Sequence, residues 1–278
     1  MPIYSQPDDT MIYPIKRNPK SPVREYRSIV DENKQTWHTN RLMIGTPVTG
    51  LVRVEWVGAR FGQIIPMNWS MVYVNQFMNT FMPLRYQVAD AQNKIVKEFI
   101  ERDFEWLLLI EHDVILPPDA FLRFNAHMLS EKYPVVSGLY YNRGRPSYPL
   151  AFRGRGTSVY LDWEMGDKVW CDGVPTGCLL IHGSILKEMW ADADEYTVGD
   201  VVTRRVFDTP TYQWVDPEND LDWAQMGGTS DLNWCKDVMT GNYFERSGWG
   251  EFQDKEYPFL IDTRIFCKHI NPDGEQFP

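Results

Sequence analysis

Two acidic residues, Glu111 and Asp113, follow a fully apolar segment, and their type and spacing suit the binding of a divalent cation. The short apolar run at 106–110 predicts a strand buried on both faces. Ligands of open α/β sheets bind at the carboxyl ends of such strands. Residues i and i+2 of an extended segment share a face, so both carboxylates can converge on Mg²⁺ or Mn²⁺. The alternative is that Asp113 ends the strand and bonds to the following turn.

Three further polar positions are candidates for the same site, and each has a structural alternative. His269 follows a short C-terminal strand and is either a metal ligand or a satisfied histidine. Asp231 opens a helix, where the helix dipole alone favours an acid, but it could also face a cleft as a base. Asp90 is a good N-cap residue; with Asn93 it could instead bond a nucleotide base or ribose.

The composition describes an acidic globular chain of 278 residues, enough for one large domain or two small ones. The net charge of −10 argues against a nucleic-acid backbone as partner, because phosphate contacts need a basic face. A metal could still neutralise a nucleotide's phosphates. The four cysteines lack paired spacing, which is typical of reduced thiols in a cytosolic protein. With neither a signal-peptide pattern nor an apolar run near the ~20 residues of a transmembrane segment, we expect a cytoplasmic protein.

The elements that must position these residues alternate between strand and helix in the first half of the chain. Residues 1–40, rich in Pro and charged residues, are interpreted as an N-terminal extension. Strands are predicted at 41–47, 106–110, 134–141 and 176–182. Helices are predicted at about 51–65, 90–100, 118–129, 184–190 and 230–240. This order predicts an α/β fold with a Rossmann-like, mostly parallel sheet flanked by helices and a mixed C-terminal half, loop-rich at 191–228.

Taken in order, six segments resemble the glycosyltransferases of the A fold, in particular family 2-like members with a DxD motif. The segments are 44–47, 88–96, 108–113, 136–141, 174–181 and 228–235, followed by His269. The resemblance covers about residues 41–270, and the order of the six segments is more specific than any one of them. It implies a single A-type domain at 41–278, with a nucleotide-sugar-binding half at 41–140 and an acceptor-binding half at 141–278.

The resemblance also assigns roles to residues. Glu111-His112-Asp113 stands at the position of the DxD motif, His269 matches the distal metal-binding histidine, and Asp231 matches the base of inverting members. The implied metal ligands are therefore Glu111, Asp113 and His269. Tyr140 and Arg143 could line a sugar site, or belong to an aromatic edge strand. The implied donor-binding residues are Thr46, Pro47, Asp90, Asn93, Glu111, His112, Tyr140, Arg143 and Gly177.

The activity implied is metal-dependent transfer of a sugar from a UDP- or GDP-linked donor to a glycan, lipid or small-molecule acceptor, with Mn²⁺ or Mg²⁺ as cofactor. Three positions depart from the family pattern: Glu111 replaces an Asp, Ser230 replaces the Glu before Asp231, and Gln92 stands where Arg is common. One alternative is a nucleotidyltransferase, although its Gly-rich basic loop is reduced at 46–53 to one Gly and one Arg. Another is a non-catalytic carbohydrate- or nucleotide-binding protein. The sequence does not indicate the oligomeric state, the sugar that is transferred, or whether the anomeric configuration is retained or inverted.

Overall fold

The computed structural model describes residues 41–66, 81–154, 158–216, 221–226 and 228–278. The interpretation of residues 1–40 as an extension lies outside these ranges. The helices are α1 (Val54–Phe61), α2 (Val88–Glu101), α3 (Ala120–Ser130), α4 (Gly183–Asp192), α5 (Ser230–Thr240) and α6 (Tyr243–Arg246), with a 3₁₀ turn at Gly250–Phe252. The strands are β1 (Leu42–Gly45), β2 (Trp106–Ile110), β3 (Val114–Ile115), β4 (Val135–Leu139), β5 (Phe152–Arg153), β6 (Ser158–Val159), β7 (Lys168–Cys171), β8 (Cys178–His182), β9 (Glu195–Val198), β10 (Val201–Arg204), β11 (Thr211–Asp216), β12 (Leu221–Met226), β13 (Phe259–Phe266), β14 (Lys268–Ile270) and β15 (Gln276–Phe277). The five predicted helices are confirmed to within a few residues, except that α1 is shorter than expected.

A six-stranded sheet in the order β1-β2-β8-β4-β13-β7 forms the centre of the described chain. β1 runs parallel to β2, and β4 runs parallel to β13. β8 lies antiparallel between β2 and β4, and β7 lies antiparallel at the edge beside β13. The α/β class is confirmed. The prediction of a mostly parallel sheet holds only in part: β1, β2, β4 and β13 run in one direction, whereas β7 and β8 run in the opposite direction. A buried strand such as β8 shows the same continuous apolar pattern whichever way it runs, so the sequence pattern does not reveal its direction.

Alternate side chains of the central strands pack into two separate layers. Leu107 and Leu109 of β2 contact one hydrophobic cluster, which also contains residues of α2, α4, α5 and α6. Trp106, Leu108 and Ile110 contact the other cluster, which contains the apolar face of α3. This alternation follows from the two-residue period of a strand. Helices therefore cover both faces of the sheet, and the loops at the strand ends are left to form a site.

Strand register brings distant segments to the carboxyl end of β2. Ile110, the last residue of β2, pairs with Cys178, the first residue of β8. The Glu111 N–H continues this contact by donating to the Gly177 carbonyl at 3.0 Å. β14 pairs with β3 so that His269 lies opposite Val114. The residues that follow β2 therefore lie beside the residue that precedes β8 and beside β14.

Two local expectations were wrong. The segment 191–228, predicted to be loop-rich, contains the antiparallel hairpins β9-β10 and β11-β12. The first hairpin closes through Gly199-Asp200, where Gly199 has φ +64°, and a glycine-bearing two-residue turn is a strong hairpin signal. Asp90 is not an N-cap, because α2 begins at Val88 and its N-cap residue is Gln87. Within the described ranges, no helix combines the length and apolarity that crossing a bilayer requires.

A buried charged group lies in the middle of β13. Asp262 is fully buried and accepts hydrogen bonds from Arg264 Nε at 2.8 Å and from His127 Nε2 at 2.8 Å. Burial alone would raise the pKa of the Asp262 carboxyl, but the bonds from Arg264 and His127 outweigh burial and hold that pKa well below its ordinary value. A carboxyl with a lowered folded-state pKa adds stability above its unfolded pKa of about 4, and this stability is lost as the pH falls.

Asp262→Ala should therefore lower the free energy of unfolding by about 3 kcal/mol at pH 7, because it leaves buried donors without a partner. The difference from wild type should shrink below about pH 4, because the unfolded wild type takes up a proton at Asp262 there while the folded state does not. Urea unfolding at pH 7 and pH 3 measures both values. The exposed Asp254, replaced by Ala as a control, should change the free energy by less than about 0.5 kcal/mol. Equal losses in the two variants would contradict this account.

Candidate active site

Glu111, Asp113 and His269 each offer a ligand atom, and these atoms lie within 4.8 Å of one another. Glu111 directly follows β2, Asp113 lies in the turn before β3, and His269 lies in β14. The pairing of β14 with β3 brings the histidine to the two acids. Two carboxylates and one imidazole form a donor set that suits a divalent cation such as Mn²⁺. The structure thus brings the three residues together, and their role as metal ligands stays a prediction.

The imidazole of His269 is held in one orientation. It is 7% exposed, and Nδ1 lies 2.6 Å from the Tyr141 carbonyl oxygen. Because a carbonyl oxygen only accepts, Nδ1 carries the proton and Nε2 keeps its lone pair. Burial lowers the pKa of His269, which favours the neutral ring. An imidazole anchored through one nitrogen and free at the other is typical of a metal ligand.

The carboxylate of Asp113 has two different environments. Oδ2 accepts a hydrogen bond from Nη2 of Arg143. Oδ1 is buried and has no hydrogen-bond partner among the described residues. A buried carboxylate oxygen without a donor is unfavourable, and a divalent cation would satisfy it. The unpaired oxygen is thus the specific feature that fits a metal at this position.

A short relay of hydrogen bonds positions Glu111. Gln92 Nε2 donates to the Thr176 hydroxyl at 2.9 Å, and that hydroxyl donates to Glu111 Oε1 at 3.2 Å. Burial, then the nearby charges of Asp113 and Asp231, raise the pKa of Glu111 to about 8. Positive charge in the site would favour the ionised form of this carboxyl. The buried Gln92 thus supports Glu111 through Thr176.

Tyr140 and Gly177 form a closely packed wall of the site. The Gly177 N–H donates to the Tyr140 hydroxyl at 2.8 Å, and the Tyr140 ring packs edge-on against His269 with centroids 4.8 Å apart. A Cβ on Gly177 would lie 2.3 Å from that hydroxyl and 2.9 Å from Cγ2 of Val114. Only glycine permits this approach of backbone and ring. Burial raises the pKa of Tyr140 well above its ordinary value, so the phenol stays neutral.

Gly177→Ala should therefore destabilise the protein by about 2 kcal/mol, because Tyr140 must move away from Glu111 and His269. It should also weaken the nucleotide binding that the sequence resemblance predicts. Urea unfolding and calorimetry with UDP and GDP measure the two effects. Gly58, within α1, is the matched control because a Cβ there meets nothing within 4 Å. Gly58→Ala should leave binding unchanged and raise stability by up to about 1 kcal/mol. If Gly177→Ala changed stability and binding no more than Gly58→Ala does, the close packing of Gly177 against Tyr140 would not matter for the site.

His112 joins the two loops that follow β1 and β2. Its Nδ1 donates to the Pro47 carbonyl at 3.2 Å, and its Nε2 accepts from the Thr49 hydroxyl at 3.0 Å. The adjacent Thr46 is fully buried, and its hydroxyl has no hydrogen-bond partner among the described residues. These contacts hold the β1 loop against the acidic turn. Contacts of Thr46, Pro47 and His112 with a nucleotide-sugar donor stay predictions.

Asp90 and Asn93 were predicted to contact a nucleotide-sugar donor, but in the structure their side chains bond to other parts of the protein. The Asp90 carboxylate accepts from the Tyr196 hydroxyl at 2.8 Å. The buried Asn93 amide donates to that hydroxyl at 2.8 Å and to the Phe207 carbonyl at 2.7 Å, and its oxygen accepts from the N–H groups of Val206 and Phe207. Both side chains thus bind α2 to β9, and Asn93 also binds α2 to the residues that follow β10. A nucleotide would have to compete with these bonds.

Asp231 lies in the first turn of α5, as its sequence context predicted. Its Oδ1 accepts from the Leu232 N–H at 2.8 Å and from the Thr229 hydroxyl. Burial raises the pKa of Asp231, and its charge in turn raises the pKa values of Glu111 and Tyr140. Asp231 is thus close to the acidic group, while its place in the first turn of α5 also fits the structural alternative of an acid favoured by the helix dipole.

Two residues of the site were not found from the sequence. Thr176 supports Glu111, and Trp56 Nε1 donates to the Glu111 carbonyl at 2.9 Å. In α1 the buried residues are Trp56 and Arg60, whereas the apolar Val54 is exposed. The only signal for Trp56 was the presence of an indole in a helix that precedes the acidic turn.

Comparison with known proteins adds little beyond this geometry. No family model matches the sequence, and no match is found among curated proteins. Among solved structures, the chain is similar to A197 from STIV at 15% identity and a TM-score of 0.47, over 85% of this chain and 93% of that chain. It is also similar to residues 1–349 of S. aureus TarS in complex with UDP, at 11% identity and a TM-score of 0.33, over 56% of this chain and 50% of that chain. At these distances the similarities carry no functional argument.

Proposed function

We propose that the protein is a metal-dependent glycosyltransferase that moves a sugar from a UDP- or GDP-linked donor to a glycan, lipid or small-molecule acceptor. The observation that carries the proposal is the convergence of Glu111, Asp113 and His269 at the end of β2, with ligand atoms within 4.8 Å of one another. The sequence resemblance to A-fold glycosyltransferases supports it. The division into a donor half at 41–140 and an acceptor half at 141–278 is part of the same proposal.

The charges of the site explain why a metal is needed. The chain carries a net charge of −10, and the site itself contains three carboxylates, those of Glu111, Asp113 and Asp231. A nucleoside diphosphate is also an anion, so its binding needs cations in the site. Arg143 supplies one, and a Mn²⁺ or Mg²⁺ ion held by Asp113, His269 and Glu111 would supply the rest. When bound, this ion neutralises the charge that develops on the departing diphosphate.

Asp231 would act as the base. Its raised pKa makes the carboxylate a better proton acceptor than an exposed aspartate. As the acceptor oxygen forms its bond to the anomeric carbon, Asp231 takes the hydroxyl proton. The bond from that carbon to the diphosphate breaks, and its electron pair leaves with the diphosphate. Nearby carboxylates such as Glu111 stabilise the oxocarbenium-like character of the sugar.

The first experiment tests nucleotide binding and turnover together. Calorimetry with UDP and GDP, with and without Mn²⁺, should show binding that requires the metal. UDP- and GDP-sugars incubated with Mn²⁺ should slowly release the nucleoside diphosphate even without an acceptor, because water can replace it. Absence of nucleotide binding in both conditions would contradict the proposal.

One further assay, together with this experiment, separates the two alternatives. Pyrophosphate release from a nucleoside triphosphate and a sugar phosphate would identify a nucleotidyltransferase. Tight metal-dependent binding without any turnover would identify a binding protein. One observation favours the binding protein: Asp231 Oδ1 already accepts two hydrogen bonds, from Thr229 and from Leu232, as a purely structural aspartate would.

A further inference from the structure

Arg143 occupies one oxygen of the carboxylate whose other oxygen a metal would take. Its Nη2 donates to Oδ2 of Asp113, whose other oxygen is buried without a partner. The Asp113 side chain is 16% exposed, and the Arg143 side chain is 40% exposed. Glu111 and His269 offer their ligand atoms to the same place. The Arg143 guanidinium and a bound metal ion would therefore contact the same carboxylate, that of Asp113.

We propose that Arg143 and a divalent cation exchange on Asp113, and that the released guanidinium binds the diphosphate of the nucleotide. The inference rests on the proposed function, since it specifies how that site would take up its two ligands. Arg143 is then a positioning residue for the metal and a binding residue for the nucleotide. The exchange makes the binding of either ligand favour the binding of the other.

Electrostatics favours the exchange. A guanidinium and a dication carry like charges, and both would contact the same carboxylate over a few ångströms, where repulsion is strong in a partly buried site. A cation on Oδ1 therefore weakens the bond between Arg143 and Oδ2 of Asp113, and the guanidinium becomes available to another anion. The released side chain has a planar fork of donors that fits two phosphate oxygens better than any other side chain does.

The loop that carries Arg143 allows its side chain to move without moving its backbone. Asn142 donates from its N–H to the Tyr148 carbonyl at 2.9 Å and accepts from the Tyr148 N–H at 2.9 Å through its side chain. Tyr141 donates to the Pro278 carbonyl at 2.9 Å, and its own carbonyl orients His269. The residues before Arg143 are therefore fixed, and they hold the imidazole in place. Only the long, half-exposed arginine side chain needs to rearrange.

The exchange predicts coupling between the two ligands. Metal binding releases Arg143 for the diphosphate, and diphosphate binding removes Arg143 from Asp113. Such coupling is reciprocal, because each ligand must change the affinity of the other by the same factor. Part of the coupling arises directly from the attraction between metal and phosphate, and the part that needs Arg143 disappears when the arginine is removed.

Calorimetry on the full chain tests the exchange, first with Mn²⁺ alone and then with UDP and GDP at saturating Mn²⁺. Arg143→Ala should bind Mn²⁺ alone about fivefold more tightly, because a competing ion pair is removed. It should bind the preferred nucleotide about tenfold more weakly, because a charge-assisted contact to phosphate is lost. Arg143→Lys should shift both affinities in the same directions by smaller factors. A merely structural arginine would not produce opposite changes for the two ligands.

Arg145→Ala is the matched control. Arg145 lies two residues further along the same loop, pairs with Glu275 and is 79% exposed. Its removal should leave both affinities unchanged. Equal Mn²⁺ affinity in wild type and Arg143→Ala would overturn the exchange while leaving the metal site intact. Absence of Mn²⁺ binding in the wild type and in both Arg143 variants would overturn the exchange and the proposed function together. If Arg143→Ala fails to fold, Arg143→Lys decides between these outcomes.

Discussion

Asp113→Ala should abolish detectable Mn²⁺ binding and lower donor turnover by about a thousandfold. The substitution removes the oxygen that is buried without a partner, and it leaves Glu111 and His269 as two ligands without the central carboxylate. Two remaining ligands hold a divalent cation poorly. The measurement is Mn²⁺ calorimetry together with release of the nucleoside diphosphate from UDP- and GDP-sugars.

Controls for this result are available in the same chain. Asp113→Asn keeps the shape of the side chain and removes its charge, so it should lose most of the metal affinity without unfolding. Asp162, which is exposed and distant in sequence from the acidic turn, serves as the unrelated acid. Asp162→Ala should bind Mn²⁺ and turn over the donor like the wild type. Unchanged turnover in Asp113→Ala would refute the metal assignment.

Asp231→Asn should lower turnover by about 10²- to 10⁴-fold while nucleotide and Mn²⁺ binding persist. The amide keeps the hydrogen bonds that the oxygen accepts from Thr229 and Leu232, so the start of α5 should stay folded. It cannot accept the acceptor's proton. A loss in kcat with little change in the binding constants is therefore expected, and steady-state kinetics with a responsive acceptor measures it.

Asp237 is the matched control for Asp231, because it lies on the same helix and is also partly buried. Asp237→Asn should leave kcat within about twofold of the wild type, since most substitutions outside the reacting groups have small effects. If Asp231→Asn also retained full turnover, Asp231 would only stabilise the first turn of α5, and another group would have to act as base. If it lost nucleotide binding instead, its role would lie in the donor site.

Local patterns in the sequence were enough to predict where the acidic turn lies. The apolar run 106–110 forms β2, and Glu111 and Asp113 follow it directly, because a strand buried on both faces has to be apolar throughout. The same reasoning correctly located α2 and α5. It did not reveal that β8 runs antiparallel between β2 and β4, since burial hides strand direction.

Contacts between distant residues could not be predicted from local pattern. The position of His269 depends on β14 pairing with β3 and on the Tyr141 carbonyl, 128 residues earlier in the chain. The bond between Arg143 and Asp113 depends on how the loop after β4 folds over the turn after β2. The resemblance to a known family proposed His269 as a ligand, whereas nothing in the sequence indicated the contact with Arg143.

Asn93 shows the opposite case, in which a residue that looked functional makes structural bonds. Its position near the start of α2 suggested a nucleotide contact, because a helix N-terminus attracts anions. The side chain is instead buried and bonds to Tyr196, Val206 and Phe207. Those partners lie in a segment expected to be loop-rich. Because the hairpin β9-β10 was not predicted, its contacts with α2 could not be predicted either.

The most direct test of the central claim is a crystal of the protein soaked with Mn²⁺ and UDP or GDP, with data collected at the manganese absorption edge. The account expects one anomalous peak within about 2.5 Å of an Asp113 carboxylate oxygen and of His269 Nε2. The nucleotide's diphosphate should contact the same ion, and the Arg143 guanidinium should have left Asp113. A bound nucleotide with its manganese elsewhere, or with none near these residues, would contradict the account.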